Sequence, residues 1–253
     1  MTGNSPAAPL VVFDFDGVLV DGMAEYWWAA RAAALQLAPA IALPEQAPAA
    51  FARLRPLIHK GWEMVLMAAE LSRADLALED LLAHYSQRLP QLLARWGWSA
   101  PQLQQTLEQV RSRAIRADLS AWLALHRFYP GVVERLRRLD GDGVAWMVLT
   151  TKGKDFAHRI LQAAALEPSA LHGHEQGSKP EVLRRLLVRH PRLWFVEDRR
   201  PTLERVRADP ALTAVRCFLV SWGYLGPADG VDLPDGIHWL EPERFAGPLA
   251  QWP

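Results

Sequence analysis

The chain has 253 residues, of which 50% are hydrophobic and 22% charged, the balance of a soluble globular protein with material for one large domain or a core carrying an insertion. Lysine plus arginine and aspartate plus glutamate each total 28, which excludes a global field for recruiting nucleic acid or an anionic membrane. No apolar run approaches the length of a membrane span, and the lone cysteine, Cys217, excludes a disulfide framework and suits a reducing, cytoplasmic setting.

Met1 to Pro9 has neither a basic nor an apolar leader region and reads as a short tail. Leu10-Val11-Val12-Phe13 reads as a buried strand, yet it runs into two carboxylates two residues apart, Asp14 and Asp16, followed at once by Gly17. Period-two geometry sends both acids to one side, and the apolar approach leaves at least one of them poorly solvated. Two such acids repel and raise each other's pKa unless a cation lies between them or one keeps its proton. A hard, oxygen-seeking ion such as Mg²⁺ would resolve the conflict. The plain alternative is a solvated pair of acids in a turn closed by Gly17.

After Gly22 the alternation is lost. Met23 to Leu37, Ala49 to Arg55, Gly61 to Leu71, Leu76 to Leu89 and Pro90 to Trp96 are helical by composition, with a proline-spaced connection from Pro39 to Pro48. Ser99-Ala100-Pro101-Gln102 predicts a capping box opening a helix through about Arg116, and Leu119 to Arg127 ends a stretch with no convincing strand. Residues 23–126 thus read as an all-helical domain inserted between two pieces, 1–22 and 127–253, of one core.

Beyond the insertion, strands and helices alternate. Helices are expected at Pro130 to Leu139, near Asp155 to Ala165, from Ser178 to about Arg189, at Thr202 to Ala208 and at Pro242 to Ala250. Strands are expected at Val144 to Leu149, weakly at Leu171 to Glu175, and at Leu193 to Val196, Arg216 to Ser221 and Ile237 to Leu240. This grammar predicts an α/β fold with a doubly wound parallel sheet, whose ligands bind at the carboxyl ends of the strands. Three strand ends carry unusual polar residues: Asp14 with Asp16, Thr150 with Thr151, and Glu197 with Asp198. They would converge on one rim.

In order and spacing, Asp14-Phe15-Asp16-Gly17-Val18, Thr150, Lys179-Pro180 and Glu197-Asp198 resemble the four motifs of the haloacid dehalogenase-like hydrolases. The resemblance covers Leu10 to Asp21 and roughly Phe128 to the C-terminus, and the helical insertion falls where that family places its cap. It implies a Rossmann-like core, with Asp14 as the nucleophile that forms an aspartyl-phosphate and Asp16 as the general acid and then base. Family members that cleave carbon–halogen bonds lack the second aspartate, so Asp16 points toward phosphate esters. Thr150 would bind the transferring phosphoryl group, with Thr151 as a competitor, and Lys179 would balance the charge of Asp14 and the phosphate. A Mg²⁺ site would be formed by Asp14, the Asp16 carbonyl and Asp198. The sequence departs from the commonest form in having Glu197 before Asp198 and Thr202 where many relatives carry a second acid. Glu197 is left as a direct ligand, a water-mediated ligand or a neighbour of the ligands.

Phe128-Tyr129-Pro130-Gly131-Val132 and Ser221-Trp222-Gly223-Tyr224 resemble further family segments, but add no chemistry to the reading. The implied activity is Mg²⁺-dependent hydrolysis of a small phosphorylated metabolite, with no nucleic-acid or membrane partner. A phosphoglucomutase-like transferase and a catalytically silent binding protein are the alternatives. Thr151, Lys152 and Arg199 on the core, and Lys60 in the insertion, are candidate substrate contacts. For Lys60 and Arg199, solvated charges at helix starts are the plainer reading. The 11 tryptophans are better explained by core packing, as at Trp146 and Trp194, than by stacking on bases.

Overall fold

The structure, a computed structural model, describes residues 8–253, so of the tail read at Met1 to Pro9 only Ala8 and Pro9 fall among the described residues. The chain divides into two compact units: the described residues up to Asp21 together with Phe128–Pro253, and Gly22–Arg127. It begins with β1 (Leu10–Phe13) and β2 (Val20–Asp21) before the second unit is built.

That second unit is helical: α1 (Met23–Leu37), α2 (Ala49–Leu54), α3 (Gly61–Glu70), α4 (Leu78–Ala83), α5 (Tyr85–Trp96), α6 (Ala100–Ala117) and α7 (Leu119–Leu123). Ala29, Ala30, Ala33 and Ala34 of α1 are fully buried, and their small side chains let α3 and α6 pack closely against it. Trp27 is buried on the same helix, and its indole N–H donates to the carbonyls of Pro44 and Glu45, which pins the proline-spaced connection. The capping box forms as expected. Ser99 Oγ accepts from the Gln102 amide at 3.3 Å, and Gln102 Oε1 accepts from the Ser99 amide at 3.4 Å.

One boundary differs from the sequence reading. Pro90 does not start a helix but lies inside α5, and the break falls at His84, whose φ of −124° and ψ of 25° depart from helical geometry. A proline costs one intrahelical hydrogen bond but does not force an end.

The chain returns through β3 (Arg127–Phe128) to α8 (Val132–Gly141), β4 (Trp146–Leu149), α9 (Lys154–Ala163), β5 (Leu171–His172), α10 (Lys179–Leu187), β6 (Leu193–Glu197), α11 (Arg200–Arg207), β7 (Val215–Val220), β8 (Ile237–Leu240) and α12 (Pro242–Ala246). Six strands make one parallel sheet in the order β5-β4-β1-β6-β7-β8. From β1 the chain adds strands outward on one side and then on the other, so the order reverses between β1 and β6. This is the doubly wound topology expected, and such a reversal opens a ligand crevice at the strands' carboxyl ends.

Both sheet faces are covered. Leu10, Val12, Met147, Leu193, Phe195 and Cys217 share one core with Val182 and Leu183 of α10 and Leu203 and Val206 of α11. Alternate residues point the other way, where Phe13 meets Phe245 of α12 at 6.2 Å between ring centroids and Trp194 meets Trp252 at 5.7 Å. Burial of strands on two sides explains their unbroken apolar runs. It also accounts for Trp146 and Trp194 as core residues. The weak strand expected through Glu175 stops at His172. Gly173 donates to the Gln176 side chain at 2.6 Å, and His174–Gln176 turn as a 3-10 helix.

Candidate active site

The site stands at the carboxyl ends of β1, β4 and β6. β1 is held on both sides by parallel partners, and just beyond it the Asp14 amide donates to the Val196 carbonyl at 2.8 Å. This fixes Asp14 with its carboxylate almost fully buried. Burial is the main force raising its pKa to about 7, reinforced by the charge of Glu197 and only partly opposed by Lys179.

Lys179, the first residue of α10, is placed by the capping box of Ser178 and Glu181, in which the Ser178 amide and hydroxyl both donate to Glu181 Oε2. Its ammonium lies 2.8 Å from Asp14 Oδ1 and 2.6 Å from Glu197 Oε2. Burial works against the lysine's charge, but Asp14 and Glu197 outweigh it and hold its pKa above the usual value. Burial also pushes Glu197 up, against the pull of Lys179 and with the help of Asp198.

Asp198 follows β6 at 1% exposure, and its Oδ2 accepts from the Tyr224 amide at 2.9 Å. Two glycines make room for it. A Cβ on Gly17, whose φ is +90°, would fall on Asp198 Oδ2, and one on Gly223 would strike the Asp198 side chain and the Gly17 carbonyl. Asp14, Glu197 and Asp198 each offer a carboxylate oxygen within 4.8 Å of the others. Three buried acids beside one lysine, all hard oxygen donors, match what a divalent cation requires.

Asp16 lies on the loop after β1, and its two oxygens are 3.1 and 3.4 Å from the ammonium of Lys152. Thr150 follows β4, is buried, donates its amide to the His172 carbonyl at 2.9 Å and accepts from the Lys152 amide at 3.0 Å through Oγ1.

The sequence profile of the family described as haloacid dehalogenase-like hydrolase matches residues 8–200, well over half of the chain. The chain belongs to the haloacid dehalogenase-like hydrolases. Its fold is similar to that of a predicted phosphoglycolate phosphatase from Haemophilus somnus 129PT, with a TM-score of 0.61 at 18% identity over 94% of this chain and 95% of that one. It is also similar to Protein Tyrosine Kinase A of Mycobacterium tuberculosis (TM-score 0.58, 21% identity, 98% and 97% covered) and to a hydrolase from Pseudomonas syringae (0.56, 17%, 94% and 95%). At these identities the likeness is one of fold. No curated protein matches the sequence.

In this haloacid dehalogenase-like hydrolase, Asp14, Asp16, Thr150, Lys179 and Asp198 all belong to the sheet-bearing unit and gather at its strand ends. Of the remaining candidates, Lys152 pairs with Asp16, Thr151 and Arg199 flank the cluster, and Lys60 belongs to the other unit. Thr151 is exposed beside Thr150, and Arg199 donates its amide to Glu197 Oε1 at 3.2 Å. Lys60 belongs to the helical unit, where it is exposed just before α3. Nearby Glu63 is buried and accepts from the His59 amide and the Tyr85 hydroxyl, both at 2.9 Å.

The residues underweighted in the sequence are Trp222, Gly223 and Tyr224. The Trp222 indole donates to the Val18 carbonyl at 3.0 Å, and the Tyr224 hydroxyl to Asp21 at 2.8 Å, so this segment fixes the loop bearing Asp16 as well as Asp198. The signal available was the Trp-Gly-Tyr string itself. The bonds to Val18 and Asp198 each use a main-chain group that residue identity does not reveal, and the Tyr224–Asp21 bond joins side chains distant in sequence.

Proposed function

We propose that this hydrolase is a Mg²⁺-dependent phosphatase acting on a small phosphorylated metabolite through an aspartyl-phosphate. The observation that carries the reading is the buried Asp14 at the end of the central strand, 2.8 Å from Lys179 and clustered with the carboxylates of Glu197 and Asp198. In water an aspartate is a weak nucleophile. Here Lys179 holds one of its oxygens, which directs the other toward an incoming phosphorus.

Asp14 and Asp198, with the main-chain carbonyl of Asp16, would hold Mg²⁺, which when bound neutralises charge on the phosphoryl oxygens. Thr150 would donate its hydroxyl to one such oxygen, and Lys179 would offset the charge brought in by the phosphate. Asp14 attacks phosphorus as the ester bond breaks, and Asp16 gives a proton to the leaving oxygen. Asp16 then takes a proton from water, whose oxygen displaces Asp14 and releases phosphate. We assign the choice of leaving group to the helical unit, residues 23–126, with Lys60 as a candidate contact. The fold likeness to a protein named as a predicted phosphoglycolate phosphatase supports a small phosphate ester as substrate.

The test is phosphate release from a broad panel of phosphate esters, p-nitrophenyl phosphate included. Wild type with Mg²⁺ should turn over several of them, EDTA should stop it reversibly, and Asp14→Asn should abolish it while leaving the melting curve intact. No turnover across the panel overturns the reading. Transfer to a sugar-phosphate acceptor with little free phosphate would assign a phosphoryl transferase instead.

A further inference from the structure

We infer that Lys152 is a positioning residue for Asp16, a role that rests on the phosphatase reading above. Sequence reasoning placed Lys152 among the substrate contacts. Its side chain is only 2% exposed, and its ammonium contacts both oxygens of Asp16, at 3.1 and 3.4 Å. A donor shared between the two oxygens fixes the direction of the carboxylate as well as its distance. The root of Lys152 is fixed in turn, because its amide donates to Thr150 Oγ1 at 3.0 Å at the end of β4.

The two buried lysines therefore divide the two aspartates. Lys179 serves Asp14 at 2.8 Å, and Lys152 serves Asp16. This matters because Asp16 sits on a loop rather than within a strand, so the sheet alone does not aim it. In the first half-reaction the Asp16 proton moves to the ester oxygen as the P–O bond to the alcohol breaks and the Asp14–P bond forms. In the second, the Asp16 carboxylate takes a proton from water as the new P–O bond forms and the Asp14–P bond breaks.

Positioning of a general acid matters only where the leaving group needs a proton. We would compare kcat/KM for an alkyl phosphate and for 2,4-dinitrophenyl phosphate in wild type, Lys152→Met and Lys152→Arg, each checked by circular dichroism. In kcat/KM, which reports the steps through formation of the phosphoenzyme, Lys152→Met should lose on the order of 100-fold on the alkyl ester and less than about fivefold on the dinitrophenyl ester. Lys152→Arg should regain at least about tenfold of the alkyl loss. If Lys152→Met does not fold, Lys152→Gln is held to the same selective pattern. Equal losses on both esters, or no loss at all, would overturn the inference. Wild type inactive on both esters overturns the phosphatase reading and this inference with it, whereas an active wild type with unselective variants overturns this inference alone.

Discussion

Glu197 binds the ammonium of Lys179 at 2.6 Å, closer than Asp14 does at 2.8 Å. The other Glu197 oxygen accepts from the Arg199 amide at 3.2 Å, so both oxygens are already engaged. Of the roles the sequence left open, this arrangement favours Glu197 as the group that holds Lys179 against Asp14. In Glu197→Gln we expect kcat to fall roughly 10–100-fold, the range for residues that orient a site from behind. The Mg²⁺ concentration giving half-maximal rate should barely move. A large shift in that midpoint would make Glu197 a metal ligand instead.

Lys179→Met should cost more than activity. It leaves Asp14 and Glu197 buried without their cation, and breaking a buried pair from one side costs about 3–5 kcal/mol. Urea unfolding in the absence of divalent ions would read this loss directly, and an unchanged midpoint would contradict it.

In the helical unit, Arg111 of α6 forks onto Glu25 of α1, with Nε–Oε1 and Nη2–Oε2 both at 2.7 Å, and the Trp122 indole donates to the same carboxylate at 3.4 Å. Both charged side chains are almost wholly buried. Arg111→Met should lower stability by about 3–5 kcal/mol, since it strands an ionised or newly protonated acid in the core. The double variant Glu25→Met/Arg111→Leu should recover most of that loss, because apolar replacement of a buried pair is often close to neutral. Thermal melts of the three proteins decide it, and a double variant no better than Arg111→Met counts against the account.

Cys217 is fully buried in β7, and burial pushes its thiol up to about 12 against a weak opposing pull from Arg207. At pH 8 only about one thiol in 10⁴ would be ionised in the folded chain, so the native protein should resist dithionitrobenzoate that modifies it rapidly in denaturant. The folded pKa lies above the unfolded one. Its stabilising contribution is therefore complete below about pH 9 and is lost as the pH rises toward about 12. Cys217→Ala should flatten that alkaline limb of the stability profile, and an unchanged limb would assign it to other groups.

The sheet was legible because its strands are buried on both faces. Leu10–Phe13 and Leu193 onward are unbroken apolar runs bounded by polar strand ends, and the structure places them within a residue of those limits. The acids were legible for the opposite reason, since Asp14 and Asp16 interrupt a pattern that has no room for them. What stayed hidden depends on tertiary contact. β2 and β3 are two residues each and carry no periodicity. The end of β5 is set by the Gln176 side chain folding back on Gly173. The tie from Lys152 to Asp16 joins residues far apart in the chain, and the support that Tyr224 gives Asp198 comes from its main chain.

The register that sets Leu10 beside Leu193 also dictates when the site can exist. During synthesis Asp14 and Asp16 precede the helical unit, whereas Lys179, Glu197 and Asp198 follow only after all of it has been made. Until β6 docks, β1 lacks the neighbour that receives the Asp14 amide. Closing so long a loop is slow, because its entropy is lost before the contacts repay it. The centre is therefore absent until β6 has been made, and a product truncated before that strand would carry Asp14 and Asp16 with no centre around them.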